Sequence, residues 1–242
     1  MTVLEILEDL MKGIVFDIDD TLYCRQDMLI RAAEIVLGIA IPDWQEFIRI
    51  FYEKSDVNMS KLESGEVSTH DINGWRYNET FRILGLPYKE EDGGKAADAY
   101  LDLQSHMTIS GDMAKTLEVL SSDPGIRIAI LTAGESKHQW NKVDMLGLDK
   151  WFNRNDIIVT GETPYTKPDI ELFRMLEKHL NLDPADLWMI GDSYKHDIKG
   201  ALDAGWHALW INRRSLGPQV KTPDITVASD TELTEALRQE FC

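Results

Sequence analysis

Cysteine is nearly missing from this chain of 242 residues, which has only Cys24 and Cys242. Two thiols cannot build a disulfide framework, so the small secreted scaffolds that depend on one are excluded. Long apolar runs are missing too, and no stretch approaches the roughly 18 residues that a membrane-spanning helix needs. Basic charge is scarce: 25 Lys and Arg stand against 42 Asp and Glu, a net charge of −17. A field of that sign repels nucleic acid phosphates and anionic membrane, so neither a nucleic acid polymer nor a membrane is expected as a partner. The six histidines show no metal-ligand spacing. The opening MTVLEILEDL has neither the basic start nor the small-residue cleavage site of a signal peptide. A cytoplasmic location is therefore expected, and the sequons at Asn58 and Asn78 are read as chance.

Apolar residues, by contrast, are plentiful, 43% of the chain with seven each of Trp, Tyr and Phe, enough for a real core. The length suits one large domain or a core domain with a smaller one. KGIVF, at 12–16, is a short buried-looking strand. From about 27 to 107 the strand signal disappears, and helical spacing is found instead around 27–38, 42–54, 68–84 and 88–105. From 112 the reading alternates: helix DMAKTLEVLSS, strand IRIAIL, helix ESKHQWNKVDML, strand DIIV, helix PDIELFRMLEKHL, strand LWMI, helix HDIKGALDAG, strand HALWI, strand ITVAS, helix TELTEALRQEF. Apolar strands separated by helices predict a doubly wound, Rossmann-like α/β core with a parallel sheet, formed by residues 11–26 and 108–242. Residues 27–107 form a helical block inserted after the first strand. Residues 1–10, with Val3, Leu4, Leu7 and Leu10 at helical spacing, read as an N-terminal extension.

Ligands of such sheets bind beyond the carboxyl ends of the strands. The first strand runs into Asp17-Ile18-Asp19, the second into Thr132-Ala133, the third into a loop holding Lys167, and the fourth into Asp192-Ser193 with Asp197 beyond. In extended chain Asp17 and Asp19 point the same way. Two neighbouring carboxylates can divide the roles of nucleophile and general acid/base. Ionised together they would repel, so a cation is expected among them. Asp192 completes a hard oxygen site suited to Mg2+, and Lys167 supplies a compact positive charge for phosphate oxygens. The hydroxyl of Thr132 and the backbone N–H of Ala133 offer hydrogen bonds to the same group. Phosphoryl transfer requires mainly this positioning and neutralisation.

FDIDDTL, the LT at 131–132, KPD at 167–169 and GDSYKHDIKGALDAG at 191–205 resemble, in order, the signature motifs of the haloacid dehalogenase superfamily. The resemblance covers the chain from about Met11 to its end. It implies an aspartyl-phosphate on Asp17, with Asp19 protonating the leaving oxygen and then activating water. It implies Mg2+ held by the Asp17 carboxylate, the Asp19 carbonyl and Asp192, with Asp197 and Ser193 in support, and phosphoryl contacts from Thr132, Ala133 and Lys167. The helical block resembles the family's cap, expected to close over the core and contact the rest of the substrate. Family dehalogenases and phosphonate hydrolases lack an aspartate at the position of Asp19, so its presence favours a phosphate ester. The expected activity is Mg2+-dependent hydrolysis of a small phosphorylated metabolite: a sugar phosphate, a phosphoglycolate-like acid or a nucleoside monophosphate. A sugar phosphomutase is the nearest alternative, ahead of a dehalogenase or a non-catalytic binding protein. A monomer or homodimer is expected.

Other motifs carry less. Glu91-Asp-Gly-Gly-Lys95 lacks the spacing of a phosphate loop and reads as a surface turn. Cys24 reads as a half-buried thiol and His196 as structural. Arg213-Arg214 reads as a solvated pair that could border the catalytic edge. Tyr23, Arg25 and Trp75-Arg76 read as cap or hinge residues, with substrate contact as the alternative.

Overall fold

The protein is described here by a computed structural model covering residues 11–54 and 66–242. The helical spacing at residues 1–10 and the sequon at Asn58 lie outside the described residues. Two compact units emerge. The described residues up to Tyr23 join Thr108–Cys242 in one, and Cys24–Met107 form the other.

In the first unit, strands β1 (Lys12–Phe16), β2 (Ile126–Thr132), β3 (Ile157–Val159), β4 (Leu187–Gly191), β5 (His207–Ile211) and β6 (Ile225–Val227) make one sheet. Every neighbouring pair is parallel, in the order β3-β2-β1-β4-β5-β6. These strands read as near-continuous apolar runs because both faces of the sheet are covered. Val15, Ala129, Leu131, Leu187 and Met189 join one cluster with Leu172, Phe173 and Leu176 of α7 (Ile170–Leu180) and Ala201 and Ala204 of α8 (Lys199–Ala204). The alternate residues point the other way. Phe16 meets Phe152 edge-on at 5.9 Å, and Trp188 meets Phe241 of α9 (Asp230–Phe241) at 5.2 Å. Also in this unit are the α-helices α5 (Gly111–Ser122) and α6 (Ser136–Leu146). Among the described residues no helix is long and apolar enough to cross a membrane.

The order reverses direction at β1: β2 lies on one side of it and β4 on the other. In sheets of this class such a switch point leaves a crevice beyond the strand ends, where ligands bind. Phe16 is in register with Ile190, and the Asp17 N–H continues the ladder to the Ile190 carbonyl at 2.9 Å. The first and fourth motifs therefore leave the sheet side by side.

The inserted unit is helical: α1 (Gln26–Leu37), α2 (Trp44–Glu53), α3 (Thr69–Leu84) and α4 (Asp92–Gln104). The starts of α2 and α3 are written in side chains. Asp43 accepts from the Glu46 N–H, and Ser68 and Asp71 form a reciprocal capping box. It has its own core, in which Phe47, Phe51, Tyr77 and Phe81 are buried side by side, each such ring worth roughly 1.5–3 kcal/mol. One expectation is corrected here. Asp92 to Lys95 are not a surface turn but the first turn of α4, and Gly93 is buried. A Cβ on Gly93 would sit 2.3 Å from the Gly74 carbonyl, so the glycine lets α3 and α4 approach closely. Asn78, the second sequon, lies within α3 and donates to the Glu90 carbonyl at 2.8 Å.

Candidate active site

Asp17, the first residue past β1, is buried, and its Oδ1 accepts from Lys167 Nζ at 2.7 Å. Lys167 reaches in from the loop after β3. The same ammonium donates to Asp197 Oδ1 at 2.6 Å and to the Leu131 carbonyl at 3.0 Å. Burial alone would lower the pKa of Lys167, but Asp17 and Asp197 outweigh it and hold the ammonium above the usual lysine value. Burial pushes the Asp17 carboxyl up to about 7; Lys167 opposes this, while Asp197 and Asp19 add to it.

Asp192 arrives from the end of β4. One carboxylate oxygen each from Asp17, Asp192 and Asp197 lie within 4.8 Å of one another. Asp197 is committed on both oxygens, Oδ1 to Lys167 and Oδ2 to the Ser193 N–H at 3.0 Å. Ser193 also caps the following π turn, its Oγ accepting from the His196 N–H at 3.3 Å. His196 Nδ1 lies 3.2 Å from the Lys167 carbonyl, a supporting contact. The approach of Asp197 to the strand end requires Gly191, because a Cβ there would fall 2.5 Å from Asp197 Oδ2. Three carboxylates face the Lys167 ammonium and, 3.8 Å from Asp192, the Arg214 guanidinium, which leaves negative charge in excess in a largely buried place. Such a donor set fits a hard divalent cation, with Asp17 and Asp192 as its ligands and Asp197 behind them.

The crowded aspartates after β1 separate into three tasks. Asp17 enters the cluster. Asp19 turns to Tyr23, whose hydroxyl donates to Oδ1, and to Lys142, whose Nζ donates to Oδ2 at 2.5 Å. Asp20 makes the turn, with φ of 59°, a left-handed conformation that aspartate tolerates better than most residues. Its carbonyl accepts from the Arg213 guanidinium. Arg214 lies 3.8 Å from Asp192 Oδ2, so the arginine pair borders the strand ends.

Thr132 ends β2, and its hydroxyl donates to Gln139 Oε1 at 3.1 Å, while Gln139 Nε2 donates to the Ala133 carbonyl at 3.0 Å. Gln139 and Lys142, both on α6, are absent from the sequence-based site. A signal for them exists. Gln139, Lys142, Val143 and Leu146 fall at i, i+3, i+4 and i+7, the buried stripe of α6, where two polar residues stand in apolar positions. In the inserted unit, Arg25 lies over the Tyr52 ring at 5.5 Å. Arg76 is buried and donates to the Phe51 carbonyl at 2.8 Å. Cys24 is half-buried and forms no disulfide.

Relatives of known kind align along this framework. N-acylneuraminate-9-phosphatase of Rattus norvegicus is 28% identical over 250 residues, covering 96% of this chain and 95% of its own. The enzyme of that name from Homo sapiens is 31% identical over 140 residues, 57% of this chain and 55% of its own. Glyceraldehyde 3-phosphate phosphatase of Pyrococcus abyssi is 26% identical over 205 residues, 84% of this chain and 82% of its own. Among solved structures, magnesium-bound YfnB of Bacillus subtilis, a HAD-hydrolase, superposes with a TM-score of 0.65 at 22% identity, covering 94% and 98% of the two chains. L-2-haloacid dehalogenase from Xanthobacter autotrophicus gives 0.66 at 19%, covering 95% and 99%. These two likenesses concern the fold alone. The family profile of haloacid dehalogenase-like hydrolases matches residues 11–205. That span takes in each strand end supplying the cluster, and the chain belongs to the haloacid dehalogenase-like hydrolases.

Proposed function

We propose that the chain is a magnesium-dependent phosphoric monoester hydrolase that acts on a small phosphorylated metabolite through an aspartyl-phosphate on Asp17. The observation that carries this reading is the convergence of Asp17, Asp192 and Asp197, with Lys167 joining Asp17 to Asp197 and Asp19 two positions beyond the nucleophile. Magnesium, when bound by the Asp17 and Asp192 carboxylates and the Asp19 carbonyl, offsets the charge of the phosphate dianion. Lys167 adds a fixed positive charge, and the Ala133 N–H, with the Thr132 hydroxyl on turning its proton from Gln139 to the substrate, binds phosphoryl oxygens. In the first step an Asp17 oxygen bonds to phosphorus, the ester P–O bond breaks, and the leaving oxygen takes a proton from Asp19. In the second, water attacks phosphorus and gives a proton to Asp19. The bond from phosphorus to Asp17 then breaks, freeing inorganic phosphate and the carboxylate. The names of the relatives, phosphatases of N-acylneuraminate 9-phosphate and glyceraldehyde 3-phosphate, support a phosphorylated sugar or sugar acid within the expected classes. The cytoplasm, and a monomer or homodimer without nucleic acid or membrane, belong to the same reading.

The test is a phosphate-release screen over phosphorylated metabolites, with and without magnesium, and with Asp17→Asn as control. Magnesium-dependent release that Asp17→Asn abolishes is the expected result. Isomerised sugar phosphate without free phosphate would replace the hydrolase by a mutase, and no turnover across the panel would end both.

A further inference from the structure

We propose that Lys142, assisted by Tyr23, is a positioning residue for the proton transfers of Asp19; this rests on the phosphatase reading above. Lys142 is a long cationic side chain in an apolar position of α6, and only 3% of it is exposed. Burying an ammonium is costly, and even a well-paired buried ion pair adds little stability over an apolar alternative. Its presence therefore calls for a role other than holding the helix down. The geometry supplies one. Lys142 Nζ meets Asp19 Oδ2 at 2.5 Å, and the Tyr23 hydroxyl meets the other oxygen, Oδ1. The terminal torsion of an aspartate is soft. With a donor on each oxygen, the carboxylate cannot rotate without losing one of them. The buried end of the pair is the lysine, whereas Asp19 keeps 18% of its side chain exposed, so the anchor is sealed and the acid/base is presented outward. One turn earlier on the same face, Gln139 fixes the Thr132 hydroxyl and the Ala133 carbonyl. A single helix face thus sets both the acid/base and the second strand end.

The experiment compares p-nitrophenyl phosphate with phenyl phosphate, whose leaving oxygen is more basic and needs its proton more. Wild type, Lys142→Met, Lys142→Arg and Tyr23→Phe are assayed with magnesium. Lys142→Met is expected to lower kcat/KM for phenyl phosphate by about tenfold more than for p-nitrophenyl phosphate, a fraction of what general acid catalysis contributes. Lys142→Arg should recover much of the difference, and Tyr23→Phe should shift it the same way by less. Equal losses on both esters, or none, in a protein whose wild type shows Asp17-dependent turnover would overturn the inference and leave the phosphatase standing. If wild type releases phosphate from neither ester nor any metabolite of the screen, the phosphatase reading falls and this inference with it. Should Lys142→Met fail to fold, Tyr23→Phe, which removes one hydroxyl, decides between the same outcomes.

Discussion

Lys167 Nζ and Asp197 Oδ1 stand 2.6 Å apart, both buried, although they leave the sheet from different strands. The pair holds the ammonium where it also meets Asp17 at 2.7 Å. Lys167→Met would strand two buried carboxylates, and a loss of about 3–5 kcal/mol of stability is expected. Adding Asp197→Asn to that variant should restore part of the stability and none of the phosphate release. Denaturant unfolding and a phosphate assay on the single and double variants check both halves.

Gly191→Ala should also be costly. The new Cβ would meet Asp197 Oδ2 at 2.5 Å, and that carboxylate is already tied to Lys167 and the Ser193 N–H. Overpacking at such a site typically costs about 1–3 kcal/mol. Thermal unfolding measures the loss. Phosphate release should fall further than the melting temperature suggests, because the displaced group anchors Lys167.

If Asp17 and Asp192 hold magnesium as proposed, the ion would bind the folded state and not the unfolded one. Magnesium at a hundred times its dissociation constant should then stabilise wild type by about 2.7 kcal/mol. Asp192→Asn removes a ligand charge and should flatten that response. The check is the melting temperature across a magnesium titration, with a chelator as the zero point.

At the far side of the sheet, Asp224 accepts from His207 Nδ1 at 2.8 Å and from the Ala208 N–H at 2.9 Å. Burial would raise its pKa, but these hydrogen bonds outweigh it and hold the carboxyl below the ordinary 3.8. A depressed folded pKa contributes stability that is present above 3.8 and lost as pH falls through the folded value. Asp224→Asn should therefore destabilise near neutral pH by about 0.5–1 kcal/mol, kept small because the carboxylate is half-exposed and screened. The gap to wild type should close in acid below that window. Unfolding curves at neutral and acidic pH give the comparison.

Much of this architecture was legible in the sequence, for physical reasons. Strands covered on both faces must be nearly continuously apolar, so GIVF, IRIAIL and LWMI announce themselves, and the helices between them leave a parallel sheet as the consistent arrangement. The α/β class and the helical insert follow from that. The family resemblance, too, was carried by residues close together in sequence. What stayed hidden depends on distant approach. A polar pair in the stripe of α6 becomes meaningful only when Lys142 is seen beside Asp19. Gly93 reads as a turn until α3 lies against it. Asp20 follows Asp17 and Asp19 directly in the sequence, yet its backbone, with φ of 59°, gives it a different task.

The insertion has a consequence for biosynthesis. β1 is an interior strand whose neighbours, β2 and β4, are both encoded after the helical unit, so Lys12 must wait for Ile126 and Gly13 for Leu187. On the ribosome the first strand emerges with nothing to pair, while the helices behind it possess an aromatic core of their own and can condense at once. The helical unit thus has the contacts to close its own core while β1 still awaits both of its strand partners.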